Sequence, residues 1–358
     1  MNACPGRLRR EYPGLACWGG VPELKQTIKG ALGAPPEHRI LIANRSSALL
    51  RFAARRMFRL CNYVLTTDMS WPAYQQQVER AAQRTGAAIT SLPIRRDIFG
   101  GRFAVTEVVD RIVKRYIAND CDGLFLPAVD HLGTRMPIRE IVRSIRSRRE
   151  LRFVVIDGAQ AVGHLDWLSF HDDYDMFIGG VHKWLRAYMP MGFALYGRRQ
   201  TREMIDRAAA KQSGVSDPLL RFSRELEGQH SSGFLETTNI CPMFSARGAL
   251  VDVPESDTKR RARFQRRLYN ARQTRAIAQY AGWRPVGPKD SSLQTGILLL
   301  ERPREKRPSK RDALRYRLGK CGVTVTAYDE SLIRLSMPPE PFDDHSRQTL
   351  QLALTQVR

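Results

Sequence analysis

Several things are scarce in this chain of 358 residues, and each scarcity removes a class of function. No apolar run comes near the roughly 20 residues that span a bilayer. The opening MNACPGRLRREYPG has no apolar core of the kind a signal peptide needs, so a cytoplasmic location is the expectation. The six cysteines, Cys4, Cys17, Cys61, Cys121, Cys241 and Cys321, are scattered with no CxxC spacing. That removes the paired-cysteine zinc site and the disulfide framework, and leaves reduced thiols. Lysine is also scarce: ten of the 58 basic residues are Lys and 48 are Arg. Acidic residues number only 36, which gives a formal charge of +22. The arginines are dispersed and no recognition motif accompanies them, which argues against nucleic-acid binding. Arg in place of Lys fits the codon usage of a GC-rich genome. An anionic substrate or an acidic partner protein is the remaining use for the charge.

What is present is a globular composition, 42% hydrophobic, on a chain long enough for a large core and more than one domain. The stretch from Arg152 to Arg198 organises it. Phe153 to Ile156 is a short apolar run ending in Asp157, followed by Gly158 and then Gln160. This reads as a buried strand that delivers a carboxylate to its end. Met176 to Ile178 is a second such strand, closed by Gly179-Gly180 and followed by His182-Lys183. In a parallel α/β sheet, ligands sit outside the carboxyl ends of the strands. A partly desolvated lysine there is a nucleophile toward carbonyls. A buried aspartate needs a cationic partner, and a protonated pyridine nitrogen would serve.

The pattern D-G-A-Q-A-V-G-H, then G-G-x-H-K-W-L, then P-x-G-F-A-L-Y resembles the class V aminotransferase family, which also includes cysteine desulfurases and isopenicillin-type epimerases. The resemblance implies pyridoxal 5'-phosphate as cofactor. It implies an α/β fold of PLP fold type I: a large domain with a mainly parallel seven-stranded sheet and a small α+β C-terminal domain. It assigns Lys183 to the Schiff base, Asp157 to the pyridine nitrogen, Gln160 to the phenolic oxygen and His182 to a place beside phosphate and Schiff base. The chain departs from the family at Gly180-Val181, where many relatives carry a phosphate-binding serine. No metal is implied.

The expected organisation is an N-terminal segment over 1–36, a large domain over 37–256 and a small domain over 257–358. Tyr12 or Trp18 would line the substrate pocket. Strand 39–42 runs into Asn44-Arg45-Ser46-Ser47 and a helix from Ala48 to about Leu60. Strand, polar turn and helix make an anion site, so Ser46 and Ser47 are candidate phosphate ligands; the plainer alternative is a helix N-cap by Ser46. Strand 62–65 ends in a turn holding Trp71, the candidate to stack on the cofactor ring, with Met69 as the alternative. Helix 74–84, strand 87–93, a loop over 99–102 and helix 105–119 follow. Strand 123–127 leads to Asp130-His131, where relatives have Asn or Ser near the ring oxygen. Asp130 is therefore a cofactor-side acid and His131 a substrate-side group. Residues 212–233 read as loop. Glu236-Thr237 stands where relatives have a Gly-Thr turn reaching the neighbouring subunit's phosphate, which implies a homodimer with Thr237 in a shared site. In the last domain, helix 257–280, strand 294–300, helix 311–320, strands 323–327 and 331–336 and helix 345–357 alternate. Ile333-Arg334-Leu335-Ser336 matches the family's I-R-x-S, whose arginine grips the substrate α-carboxylate. Tyr328 lies in the loop before it.

Three functions compete on the sequence. The first is a PLP-dependent enzyme that acts on an α-amino acid by carbanion/quinonoid chemistry, as an aminotransferase, epimerase or lyase in specialised biosynthesis. The second is a cysteine desulfurase or selenocysteine lyase, which needs a cysteine on the loop Ala327-Tyr328-Asp329-Glu330; that loop has none, and Cys321 precedes it. The third is a non-catalytic basic binding protein on the same fold.

Overall fold

The structure is a computed structural model that describes residues 2–3, 19–166, 172–210, 217–227, 237–251, 253, 256–303 and 311–357. Tyr12, Trp18 and Glu236 lie outside the described residues. Two compact units emerge, the first drawn from Met1–Pro93, Val109–Val129 and Ile138–Glu255, the second from Ile94–Val108, Asp130–Pro137 and Ser256–Arg358.

The first unit is built on a seven-stranded sheet. Its strands are β2 (Arg39–Ala43), β3 (Tyr63–Thr67), β4 (Ala88–Leu92), β5 (Gly123–Pro127), β6 (Phe153–Asp157), β7 (Met176–Gly180) and β8 (Gly192–Tyr196), in the order β2-β8-β7-β6-β5-β3-β4. Only β8 runs antiparallel to its neighbours; every other pairing is parallel. The expected mainly parallel seven-stranded sheet is therefore present. Strands β5 to β8 are buried at every position, as continuous apolar runs such as GLFLP and FVVID require when helices cover both faces. One consequence positions the site. Ala43, Thr67, Pro127, Asp157 and Gly180, all last residues of parallel strands, and Gly192, the first of β8, share one end of the sheet.

The helices of this unit are α1 (Gly20–Leu32), α2 (Ser46–Leu60), α3 (Pro72–Gln83), α5 (Val105–Ala118), α6 (Ile138–Arg146), α7 (Arg199–Ala210), α8 (Pro218–Leu226) and α9 (Cys241–Val251). Helix α4 (Arg95–Phe99) and the first residues of α5 belong to the second unit. A two-residue strand β1 (Asn2–Ala3) pairs antiparallel with β9 (Thr238–Asn239). Helix α2 buries Leu49, Leu50, Phe52, Ala53, Ala54 and Met57 in the core cluster that includes Phe125, Phe153, Val155 and Ile178.

Some sequence expectations are corrected here. The stretch 212–233 is not all loop, because α8 lies within it. Asp217 caps that helix by accepting from Leu219 N and Leu220 N, Pro218 occupies the first turn, and Leu219, Leu220 and Phe222 are buried. This Asp-Pro start is a strong helix signal hidden by polar flanks. Phe99 closes helix α4 rather than opening a loop. Strand β3 extends through Thr66 and Thr67, both 0% exposed, because the pairing with β4 continues to Thr67 opposite Leu92. Strand β8 and helix α9 were not assigned from sequence.

The second unit carries an antiparallel sheet in the order β10-β11-β13-β12, formed by β10 (Arg284–Val286), β11 (Ile297–Glu301), β12 (Thr326–Ala327) and β13 (Leu332–Ser336). Helices α10 (Asp257–Tyr280), α11 (Arg311–Lys320) and α12 (Asp344–Gln356) accompany it. Its core gathers Trp283, Leu298, Leu300, Leu318, Ile333 and Leu354. The Trp283 indole N–H donates to Leu354 O at 2.9 Å, so the largest core side chain also has its polar atom satisfied. The strand expected from Gln294 starts at Ile297, because a 3-10 turn capped by Asp290 occupies Ser291–Leu293. Among the described residues no helix is long and apolar enough to cross a membrane.

Candidate active site at the carboxyl end of the large sheet

Asp157 ends β6 and is 6% exposed. Among the described residues its side chain takes one hydrogen bond, from Ala159 N to Oδ1 at 2.9 Å. Burial raises its pKa to about 6, partly offset by that bond and by the Lys183 ammonium. A carboxylate so placed is under-compensated, and a cation at its second oxygen would hold it ionised. The protonated ring nitrogen of pyridoxal phosphate is such a cation, so the residues present fit that cofactor.

The rest of the sheet end is built around this group. Gly158 leaves no room for a side chain, since a Cβ there would strike the Phe177 ring. Gln160 Oε1 accepts from the Trp184 indole at 2.9 Å. The Gln160 carbonyl bonds His164 Nδ1 at 2.9 Å, and the His164 and Trp184 rings stack at 3.8 Å. With Oε1 occupied as acceptor, the amide's NH2 is its donor end, the polarity a phenolic oxygen requires. The same network ties the turn after β6 to the segment that carries Lys183.

Lys183 itself is exposed. The sequence suggested a partly desolvated lysine at a strand end. Instead Val181 is buried and the chain has left β7 by three residues, which carries Lys183 out of the protein's own core. His182 is half-buried, and its pKa is lowered by burial first, then by Lys183 and Arg45. Its Nδ1 has no hydrogen-bond partner among the described residues.

At the end of β2, Arg45 stands at the N-cap of α2 with no side-chain cap bond, and the helix begins at Ser46. Ser46 is thus the first helical residue and not the cap. Its Oγ lies 2.6 Å from Tyr74 Oη. Tyr74 is raised to about 12 by burial first and by Asp157 second. Ser47 is half-buried on the same first turn. No acidic residue lies in that turn, so the helix dipole there is uncompensated. Asp217, besides capping α8, accepts from Asn44 N at 3.1 Å and so anchors the turn.

Arg45, Ser46, Tyr74, Asp157, His182 and Lys183 are therefore mutually linked by bonds or by electrostatic reach. The remaining candidates of this unit are Trp71, Met69 and Thr237. Trp71 precedes α3 and is 43% exposed, while Met69 is 0% exposed. Thr237 is exposed and leads into β9.

The second unit holds another cluster. Asp130 is 1% exposed; its Oδ1 accepts from Thr134 N at 2.6 Å and Leu132 N at 3.1 Å, and its Oδ2 has no partner among the described residues. Burial raises its pKa to about 6, against its backbone bonds and Arg95. Arg334 Nη1 donates to His131 O at 3.1 Å, and Tyr328 Oη donates to the same oxygen at 3.0 Å. The His131 and Tyr328 rings meet edge to face at 5.9 Å. One carbonyl thus holds the guanidinium and the phenol side by side. Arg334 sits mid-strand in β13, opposite Leu299 on one side and Thr326 on the other.

Sequence reasoning missed Tyr74, which lies 28 positions from Ser46 with no local signal. It missed Asp217 and Arg95 for the same reason. Trp184 and His164 were inside quoted motifs, yet their pairing follows only from the fold.

The fold is shared with solved structures of low identity. Ureidoglycine–glyoxylate aminotransferase from Bacillus subtilis matches with a TM-score of 0.70 and 14% identity, over 94% of this chain and 84% of that one. Cysteine desulfurase from Thermococcus onnurineus NA1 matches at 0.69 and 14%, over 94% and 83%. Alanine–glyoxylate aminotransferase from Nostoc sp. matches at 0.68 and 16%, over 94% and 86%. At such identities the likeness is one of fold. No curated protein sequence matches this chain. The sequence model of the class V aminotransferases, however, matches residues 19–282, well over half of the chain and all of the large sheet. The chain belongs to the class V aminotransferase family and is a pyridoxal 5'-phosphate enzyme.

Proposed function

We propose that the enzyme acts on an α-amino acid, breaking a bond at its Cα, and that the Asp157–Lys183 end of the sheet is the catalytic site. The observation that carries this is Asp157: fully buried, short of hydrogen bonds and within electrostatic reach of Lys183. When bound, the cofactor supplies an electron sink for the electrons of the broken bond. Asp157 keeps the ring nitrogen protonated. Lys183 Nζ holds the cofactor covalently and moves the proton at the substrate Cα. Gln160 donates to the phenolic oxygen, and Trp184 fixes its amide for that role. His182, its pKa lowered by burial, stays neutral beside the lysine. The first turn of α2, with Ser46 and Ser47 and Arg45 beside them, binds the phosphate; this compensates for the absence of a serine at Gly180-Val181. Trp71 would be the residue to stack on the cofactor ring. Arg334, held beside Tyr328 and His131, is the candidate for the substrate carboxylate, which a guanidinium takes with two parallel bonds, and Asp130 is a further candidate acid.

The desulfurase reading has less support. Cys321 Sγ donates to Gln356 Oε1 at 3.2 Å, a bond to the last helix that a mobile nucleophile would not keep. Borohydride reduction of the cofactor-loaded enzyme, followed by peptide mapping, tests the assignment. A pyridoxyl group on the Lys183 peptide is expected; a label on another lysine overturns it.

A further inference from the structure

Between the 3-10 turn Ser291–Leu293 and strand β11 the chain runs Gln294-Thr295-Gly296. Thr295 is 1% exposed, and a buried hydroxyl needs partners for its proton and its lone pairs. Its Oγ1 donates to Gly133 O at 2.7 Å and accepts from Ile297 N at 3.2 Å. One side chain thus ties the first residue of β11 to a turn 162 positions earlier. Both segments belong to the second unit. Nothing in the proposed reaction yet uses this threonine.

The turn it holds, 130–134, is the one that presents His131. Asp130 N donates to Thr134 O at 2.9 Å and Gly133 N to Asp130 O at 3.3 Å, and Asp130 Oδ1 accepts from Leu132 N and Thr134 N. A turn closed in this way keeps its shape, but it moves as one body unless something outside fixes it. The stretch 293–297 fixes it at three points. The first is the Thr295 bond. The second is Arg135 N donating to Leu293 O at 2.9 Å. The third is close approach: a Cβ on Gly133 would stand 2.7 Å from Ile297 Cβ and 2.8 Å from Ile297 O, and the φ of Gly133 is 101°, a conformation that suits glycine. Strand β11 in turn pairs with β13, with Ile297 opposite Ser336 and Leu299 opposite Arg334. The backbone of Arg334 and the carbonyl that receives its guanidinium are therefore both referenced to the start of one strand.

We propose that Thr295 is a positioning residue for Arg334, acting through Gly133 and the His131 carbonyl. This rests on the reading of Arg334 as the group that takes the substrate carboxylate. His131 O accepts from both Arg334 Nη1 and Tyr328 Oη, so both of its lone pairs are in use and a shift of the turn shifts both donors. Paired guanidinium donors meet a carboxylate only in a shared plane, and a misplacement of about 1 Å is enough to lose much of such a contact. Removing the Thr295 hydroxyl deprives Gly133 O and Ile297 N of this partner in a buried place, which favours moving the turn until they find others. The guanidinium then keeps its charge and loses its aim. The loss falls on recognition of the carboxylate and leaves the hold on the cofactor intact.

Calorimetric titration of the full chain, freed of cofactor, with two reduced cofactor adducts tests this. N-phosphopyridoxyl-glycine carries a carboxylate and no side chain, so the identity of the natural substrate does not enter. N-phosphopyridoxyl-methylamine lacks only the carboxylate. The ratio of the two Kd values reads the carboxylate contact alone. The parent should favour the glycine adduct by about tenfold or more. Thr295→Val should cut that preference to about threefold or less, with the methylamine adduct bound within about twofold of the parent. Thr295→Ser, which keeps the hydroxyl, should keep the preference. Should Thr295→Val fail to fold, as its melting curve would show, Thr295→Ala removes the same bond in its place. Full preference in Thr295→Val beside lost preference in Arg334→Lys overturns the role of Thr295 and leaves that of Arg334 standing. Equal weakening of both adducts by Thr295→Val also overturns it, since that is the effect of a merely structural threonine. No preference in the parent overturns both roles.

Discussion

Asp157 brings a cost that its one hydrogen bond and the Lys183 ammonium only partly offset. Its carboxyl titrates at about 6 in the folded protein against an ordinary 3.8, because burial disfavours the charge. A raised carboxyl pKa means that the fold prefers the protonated form. Its stabilising effect is fully present below about pH 4 and is lost as pH rises through about 6. At pH 7 the cofactor-free protein therefore carries a penalty of about 2–3 kcal/mol from this residue. Asp157→Asn removes the charge and should make the cofactor-free protein more stable at pH 7, with the gain vanishing below pH 4. Denaturant melts across pH read this directly, and parallel curves for the two proteins would contradict the assignment. In the loaded enzyme the same substitution should weaken cofactor binding, since the ring nitrogen loses its counter-charge. Arg334 poses the complementary question, whether the substrate carries a carboxylate. Lys at 334 keeps the charge but loses the fork. Arg334→Lys should lower kcat/KM roughly tenfold or more, for a charge-assisted contact of about 1.5–3 kcal/mol. The cofactor absorbance should not change, because Asp157 and Lys183 are untouched. Parental kinetics would reduce Arg334 to a structural partner of His131.

At the scale of elements, the turn proposed to bind phosphate depends on how closely β8 approaches α2. A Cβ on Gly192 would overlap Ser46 N and stand 2.5 Å from the carbonyl carbon of Arg45. Both are backbone atoms and cannot swing aside. Gly192→Ala should cost about 1–3 kcal/mol of stability and, on the proposed phosphate site, should weaken cofactor binding as well, because the displaced atoms belong to that turn. Melting temperature and a cofactor fluorescence titration separate the two effects; unchanged affinity would mean that the first turn of α2 does not bind phosphate. The P-x-G-F spacing announced this glycine, but its reason lies across the sheet, in the antiparallel pairing of Ala43 with Gly192. The same contrast holds elsewhere. Strands β5 and β6 were legible because continuous apolar runs closed by Pro127 or Asp157 admit few other folds. Asp157, Gln160 and Lys183 could be put forward as candidates because their chemistry sits at fixed distances along one stretch. Tyr74, Asp217 and the Trp184–His164 stack were not, since each is fixed by pairing between distant segments. Lys183's exposure was also hidden, because strand end and burial coincide for β6 but not for the loop after β7.

The whole molecule has to manage a formal charge of +22. We propose that it nevertheless pairs as a homodimer in which Thr237 reaches the partner's phosphate site. Thr237 is exposed in the single chain, as a residue with a role in another subunit would be. Two such cations repel each other, and the repulsion depends on ionic strength: the Debye length falls from about 30 Å at 0.01 M to about 8 Å at 0.15 M salt. Dimerisation should therefore tighten as salt is raised across that range, the opposite of an interface held by ion pairs. Sedimentation equilibrium at several salt concentrations measures this. A monomer throughout would sink the dimer, and dissociation on adding salt would sink the charge argument. Sharing of the site needs its own measurement. Lys183→Ala and Thr237→Val should each be impaired alone. In a mixed dimer one site draws Lys183 from one protomer and Thr237 from the other, both intact, so mixing the two variants should restore activity. Absence of restoration in a demonstrated mixed dimer would confine Thr237 to its own chain.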